Sequence, residues 1–375
     1  MSALRRLLPL AFLALLPAWG PCADPPPPSA NSLAASRALA FLVSTQNPDG
    51  SWGSPLGGHP EDIWPNPATH DAWRMATTGL CCMALMEHPA APGAGKALDA
   101  GIEALLAGAD LKRPSDWDAD QTWGWIYALE ALARAERDPA LASRRGRIRI
   151  LVDVLLGRLA STQSPIGGWA YYDFEGPVRS PSWATSFTTA TAVLALHEAR
   201  LSGHVVPPEV LREAVKAVAG CRLPDGAVSY SIHAVARPMP VREGIHNLKG
   251  SLSRIQVLNL ATYLEGRGVA QKDLEHGLDL FFEHHRFLDV ACGRPIPHEA
   301  YYQNAGYFYL FGHAYAGKVI RLLAPEARAK YADRLAQEVW KIQEPDGSCW
   351  DFPIHGYYKP YGTAFALLAV GPDTE

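Results

Sequence analysis

Six segments of the chain are apolar nearly all round, and they recur at the spacing of one long helical hairpin with its loops. They begin near Thr77 (TTGLCCMALM), Thr122 (TWGWIYALEAL), Thr185 (TSFTTATAVLAL), Ser251 (SLSRIQVLNLATYL), Asn304 (NAGYFYLFGHAYA) and Tyr361 (YGTAFALLAV). A helix with no wet face is one walled in by others, so these are expected as inner helices. A more amphipathic stretch precedes each, at 34–44, 96–106, 148–159, 208–219, 272–285 and 325–342. There apolar residues at i, i+3 and i+4 alternate with Arg, Lys and Glu, which predicts outer helices with one solvated side. Six pairs are enough to close a ring, and closure removes the ends that an open solenoid has to cap. Strand signals are sparse; 226–233 reads as a loop with extended character.

Between outer and inner helices stand recurring turns. Gln46-Asn47-Pro48-Asp49-Gly50-Ser51-Trp52-Gly53 is the cleanest, and Gln343-Glu344-Pro345-Asp346-Gly347-Ser348-Cys349-Trp350 repeats it with one inserted residue. Gln163 to Gly167-Gly168-Trp169 is a third copy, and Pro224-Asp225-Gly226 is a remnant without Gln or Trp. Pro-Asp-Gly makes a tight turn in which Gly accepts the positive φ, Trp packs beneath, and Gln bonds to exposed backbone at a helix end. These residues resemble the QW repeats of squalene and hopene cyclases, and the hairpins resemble those of protein prenyltransferase β subunits. Together these are the prenyltransferase and squalene-oxidase repeat proteins, and the likeness runs over about 31–371. It implies an all-α fold, an α/α toroid or six-hairpin α/α barrel with a central cavity open at one end, in which the QW residues are scaffold rather than catalysts.

The chemistry of those relatives does not transfer as a motif. Class II terpene cyclases protonate an alkene with an Asp-x-Asp-Asp element; the nearest string here, Asp116-Trp117-Asp118-Ala119-Asp120, lacks the adjacent Asp pair. Asp118 and Asp120 read either as helix N-caps or as catalytic or ligand-binding carboxylates. Prenyltransferases hold zinc through Asp-x-Cys and a later His. Here Asp346-Gly347-Ser348-Cys349 is one residue too long and Gly362 stands where the His is expected. Cys349, Asp351 and His355 are chemically competent ligands, yet no metal is expected, and no cofactor is identified. The Gly-Cys-Gly-Glu-Gln element of complement-type thioester toroids is missing as well.

Composition narrows the partners. Across 375 residues with a net charge of -4 there is no composition break, so 31–375 is expected to form one domain. Nucleic acid is excluded, because phosphate binding needs clustered Lys and Arg. The densest basic run, Arg144, Arg145, Arg147 and Arg149, reads as the solvated side of a helix. Residues 1–23 have the layout of an export signal, with Arg5 and Arg6 before an apolar stretch, and 24–30 form a Pro-rich spacer. A periplasmic or extracellular protein follows, with no transmembrane segment once the signal is removed. The cysteines show no CxxC pair and no disulfide framework, and the oligomeric state is not legible.

Segments leading from each turn into the next inner helix are expected to gather at one mouth of the ring. They supply the candidate catalytic residues Asp71, Asp118, Asp120, His246 and Tyr301. Trp64, His70, Trp73, Arg74, Trp117, Trp123, Arg179, Trp183, Asn247, Tyr302 and Tyr358 are the ligand-binding candidates. Aromatic faces stabilise a hydrocarbon cation or stack on sugar rings, so the expected partner is a small molecule or a glycan bound in an aromatic-lined cavity. The alternatives are a glycan-active enzyme and a plugged, non-catalytic interaction scaffold. A lyase would use Arg or Asn against a uronate with His or Tyr moving protons, and a hydrolase would pair carboxylates such as Asp71 and Asp118. Export and the polar share of the mouth tilt the balance toward sugars.

Overall fold

The computed structural model describes residues 29–56, 66–115, 118–171, 183–232 and 244–372. The segment read as an export signal and most of the expected spacer, with Trp64, Trp117 and Arg179, lie outside them. Six helix pairs follow one another: α1 (Ala30–Ser44) with α2 (Pro67–Glu87), α3 (Ala94–Gly108) with α4 (Gln121–Arg137), and α5 (Arg145–Thr162) with α6 (Ser186–Leu201). The second half pairs α7 (Pro208–Ala219) with α8 (Leu252–Leu264), α9 (Gln271–Glu283) with α11 (Phe308–Leu322), and α12 (Pro325–Trp340) with α13 (Tyr358–Val370). One additional short helix, α10 (Arg286–Asp289), precedes α11. The inner members touch in the order α2, α4, α6, α8, α11, α13 and back to α2, so the inner ring is closed. The described sheet is a two-stranded antiparallel patch in which Ser231–Ile232, inside the segment read as extended, pairs with Ala184–Thr185, just ahead of α6.

Helix limits depart from the apolar pattern where a helix changes character. Helix α2 starts at Pro67, well before the apolar run at Thr77, because its first turns bury only Thr69, Ala72, Met75 and Ala76 and so show one wet face. Helix α11 starts later than Asn304, whose side-chain amide donates to Lys249 O and Phe287 O and holds the chain extended ahead of the helix. Arg145, Arg147 and Arg149 stand on the exposed side of α5, as their run predicts, and ion pairs tie the run to its neighbours: Arg144, just before α5, and Arg147 pair with Glu103 of α3, and Arg149 pairs with the buried Glu136 of α4.

The turns stitch neighbouring pairs together in one repeated way. Gln46 Nε2 donates to Gly50 O at 2.9 Å and to Ala97 O on α3 at 2.8 Å. Gln163 does the same to Gly167 O and to Val210 O on α7, at 2.9 and 2.8 Å. Gln343 bonds Gly347 O at 3.0 Å and Ala34 O on α1 at 2.8 Å, which ties the last pair to the first. Gly347 has φ +89° and abuts α1 so closely that a Cβ would stand 2.5 Å from Arg37 O. Trp52 and Trp169 donate their indole N–H to Leu42 O and Leu159 O, and their backbone N–H groups bond Thr78 and Thr189. In the last turn that backbone position belongs to Cys349, bonded to Thr363 at 2.9 Å. The expected insertion is thus a substitution: Cys349 fills the Trp slot, and Trp350 turns its indole to Glu344.

Candidate functional site

A cavity of about 280 Å³ lies at the N-terminal ends of the inner helices. Helix geometry explains its walls. Trp73, Ala76, Thr77 and Leu80 on α2, Trp123 and Tyr127 on α4, Phe308 and Phe311 on α11, and Tyr361 and Phe365 on α13 are spaced by three or four residues, so each set faces the ring axis. Phe187 of α6 joins them, and loops add Tyr171, Pro297, Tyr307, Phe352, Ile354 and Tyr357. The rings pack on one another: Trp123 stacks on Tyr127 at 5.6 Å and Phe187 meets Phe308 edge-on at 5.3 Å. Helix α8 contributes no lining residue. On its side Arg254, 1% exposed, lies over Tyr230 and Phe308 at 5.3 and 5.4 Å, and it donates to Val228 O and Ile245 O.

Among the described lining residues one carboxylate is present, Asp120. It occupies the N-cap position of α4 but makes no capping bond, because its backbone is left-handed at φ 67°. That conformation costs about 1–2 kcal/mol in a non-glycine residue. It is held by Asp120 N–H to Tyr171 O at 2.8 Å, and it turns the carboxylate inward to accept the Trp73 indole N–H at 2.8 Å. Burial pushes the Asp120 carboxyl up to about 6, against the single hydrogen bond from Trp73 that favours the charged form. An apolar occupant removes the remaining solvent and moves it further in the same direction. Asp118 does different work: it accepts from Ser115 N and Oγ at 3.1 and 2.7 Å and closes the loop that presents Asp120.

Phenols form a further part of the wall and its backing. Tyr171 and Tyr230 share a hydrogen bond of 2.7 Å, and Tyr307 is 2.9 Å from His298 Nε2. Tyr361 donates to Asp351 at 3.0 Å, one residue behind the lining. Asp351 also accepts the Leu310 N–H at the start of α11 at 2.7 Å; burial nonetheless pushes its carboxyl up to about 7. Asp120, His298, Gln303 and His355 are the described non-glycine residues with positive φ, and all stand in segments that border this cavity.

The candidates drawn from the sequence divide. Trp73, Asp120 and Trp123 line the cavity. His70 sits at its rim, edge-on to Trp73 at 5.4 Å and to His355 at 4.8 Å, and Trp183 meets Tyr171 edge-on at 5.9 Å. His246 Nδ1 accepts the Tyr230 N–H and Asn247 caps Lys249 N, so both frame the wall behind Tyr230. Asp71 and Arg74 are elsewhere: they pair at 2.9 Å, Arg74 also reaches Asp49, and both border a separate depression beside Asp110 and Lys112. Tyr301 is 87% exposed and packs on Tyr302, which rests on Phe287, while Tyr358 packs against Trp350. None of these lines the cavity. What pattern reading missed are Tyr127, Phe187, Tyr307, Phe308, Phe311, Phe352 and Phe365; the aromatic pairs at i, i+4 on inner helices were the available signal.

Among the described residues one cluster, His285, Asp289 and Glu338, is close enough to share a cation, and Lys341 already bridges its two carboxylates. Cys349, Asp351 and His355 do not form such a group among the described residues: Asp351 accepts from Leu310 N and Tyr361, His355 Nδ1 donates to Pro55 O, and the bond of Cys349 to Thr363 is made by its backbone N–H. No described helix is long and apolar enough to cross a membrane.

The sequence matches no protein-family model and no curated protein. Solved structures do match its fold. An inactive variant of an alpha-1,6-mannanase from Salegentibacter, in complex with alpha-1,6-mannotetrose, aligns over 91% of this chain and 99% of its own at 10% identity, with a TM-score of 0.59. D-mannose isomerase aligns over 92% and 98% at 13% identity, TM-score 0.55. The type II terpene cyclase MstE from Scytonema, in complex with geranylgeranyl dihydroxybenzoate, aligns over 91% and 96% at 16% identity, TM-score 0.53. At these identities the likeness concerns architecture, and on that level this chain is an α/α toroid.

Proposed function

We propose that this chain is an exported enzyme that takes an apolar, alkene-bearing ligand of isoprenoid type into the aromatic cavity and protonates it from Asp120. The observation that carries the reading is the placement of a buried carboxyl, the one carboxyl among the described lining residues, in a wall of aromatic rings. A carboxyl raised to about 6 keeps a protonated fraction near neutral pH, and that fraction grows when a hydrocarbon displaces water. Protonation of a C=C bond breaks the Asp120 O–H bond and leaves a carbocation. Ring faces such as Trp123, Tyr127 and Phe187 stabilise that cation through their quadrupoles, and exclusion of water prolongs it. Attack by a second alkene forms a ring and a new cation, and loss of a C–H proton from either cation gives the cyclised or the isomerised alkene.

The size of the cavity fits a compact or folded chain, near the lower edge of the ~300–1,000 Å³ usual for small-molecule pockets. A sugar is supported less well, because the described lining offers one carboxylate and phenols but no Arg, Asn or second acid for its hydroxyls. A plugged scaffold is supported less well still, given about 280 Å³ of space. The test is incubation of the purified protein with linear C15 and C20 isoprenoids and, in parallel, with neutral and uronate glycans, followed by mass spectrometry of the products. Conversion of an isoprenoid by the wild type and its loss in Asp120→Asn supports the reading. Conversion of a glycan, or of an isoprenoid equally well by Asp120→Asn, overturns it.

A further inference from the structure

A carbocation made in the cavity has to be discharged, and the same lining holds a base built for it. We propose that Tyr307 and His298 form the proton-accepting pair of the cavity, taking a C–H proton from the cation that Asp120 creates; this rests on the reading above. The hydrogen positions follow from the partners. His298 Nδ1 lies 2.7 Å from Gln303 O, and a carbonyl only accepts, so Nδ1 carries the hydrogen. Neutral His298 then presents a lone pair at Nε2, and Tyr307, 2.9 Å away, donates its O–H to it. Tyr307 lines the cavity, and its oxygen, with its proton given to His298 and Tyr230 beside it, still has lone-pair capacity to accept a proton.

Four further observations bear on the pair. His298 and Gln303 both hold left-handed backbone, at φ 63° and 55°, the strained conformation that pins the imidazole on its carbonyl. Arg254 is buried with no ion-pair partner among the described residues and its Nε is unbonded; its charge opposes protonation of His298, while burial and Tyr230 hold the Tyr307 phenol protonated, well above its ordinary range. Burial acts on His298 in the same sense and holds it below the ordinary histidine range, so it stands as a base at neutral pH. Tyr230 lies beside Tyr307 and extends the hydroxyl chain to Tyr171.

The step balances. The C–H bond next to the cationic carbon breaks and its electron pair becomes the new C=C bond. Its proton joins the Tyr307 oxygen as the phenolic proton passes to His298 Nε2. Tyr307 ends neutral, His298 as imidazolium and Asp120 as carboxylate; His298, partly exposed, releases its proton to water and Asp120 regains one.

Two arms test the pair. In the Asp120→Asn background, which removes the other acid, dodecyldimethylammonium is compared with dodecyltrimethylammonium by quenching of tryptophan fluorescence. Both are cations, and only the first has an N–H to give. The pair predicts at least tenfold tighter binding of the N–H cation, equalised by Tyr307→Phe and by His298→Ala. An unchanged preference in Tyr307→Phe, which keeps the ring and its packing, overturns the proposal. In the Asp120-containing protein, Tyr307→Phe is expected to cut alkene product at least tenfold while substrate is still consumed toward alcohol; unaltered products also overturn it. Absence of any turnover by the wild type would remove the reading of Asp120, and the ammonium preference would still decide for or against the pair.

Discussion

Asp120→Asn tests whether the cavity carboxyl is held protonated, independently of any substrate. A carboxyl whose folded value lies above its unfolded one keeps its proton longer in the folded chain. Its contribution to stability is therefore greatest below the unfolded value of 3.8 and is lost as pH rises through about 6. The gap between 3.8 and about 6, at about 1.4 kcal/mol per pH unit, amounts to about 3 kcal/mol of destabilisation at pH 8. Asn is isosteric, cannot ionise, and its amide oxygen still accepts the Trp73 indole N–H. Urea unfolding of the two proteins at pH 4 and pH 8 separates this group from the rest, since Asp351 and other carboxyls titrate alike in both. The variant is expected to match the wild type within about 1 kcal/mol at pH 4 and to exceed it by about 3 kcal/mol at pH 8. Parallel curves for the two proteins would refute the claim that burial dominates at Asp120.

Three other outcomes follow from the same geometry. If neutral Asp120 is the proton donor, turnover falls about tenfold per pH unit above about 6 and holds or rises just below it, read from a pH–rate profile. Gln343→Ala removes the bonds to Ala34 O and Gly347 O that join the last helix pair to the first, and is expected to cost about 1–3 kcal/mol. Hydrogen exchange in that variant should accelerate first in α1. Gly79→Ala places a Cβ 2.6 Å from Tyr127 O, where α2 crosses α4 beneath the cavity, so a loss of about 1–3 kcal/mol is expected in thermal or urea unfolding.

The ring was legible because its parts repeat. Helix α7 matches its expected limits to the residue, Pro208 opening it and Gly220 following it, since Pro at the first turn and Gly after the last are local signals. The three Gln residues were read as backbone clamps, and all three act so; that the third one closes the ring needed coordinates. The site was legible only in part. An inner helix apolar on every side gives no period that separates its axis face from its flanks, which is why Phe187 and Phe311 went unnoticed while polar loop residues such as Asp71 and Tyr301 drew attention. Asp118 and Asp120 look alike in sequence. One left-handed residue decides between them, sending Asp120 into the cavity and leaving Asp118 to brace Ser115.

The most direct measurement is incorporation of deuterium. In D2O the Asp120 proton exchanges with solvent, so an isoprenoid converted by the wild type should carry one deuterium at the carbon first protonated, located by NMR and mass spectrometry, and Asp120→Asn should leave the substrate intact and unlabelled. Product without deuterium, or labelled product formed equally well by Asp120→Asn, would contradict the assignment of Asp120 as the acid of this cavity.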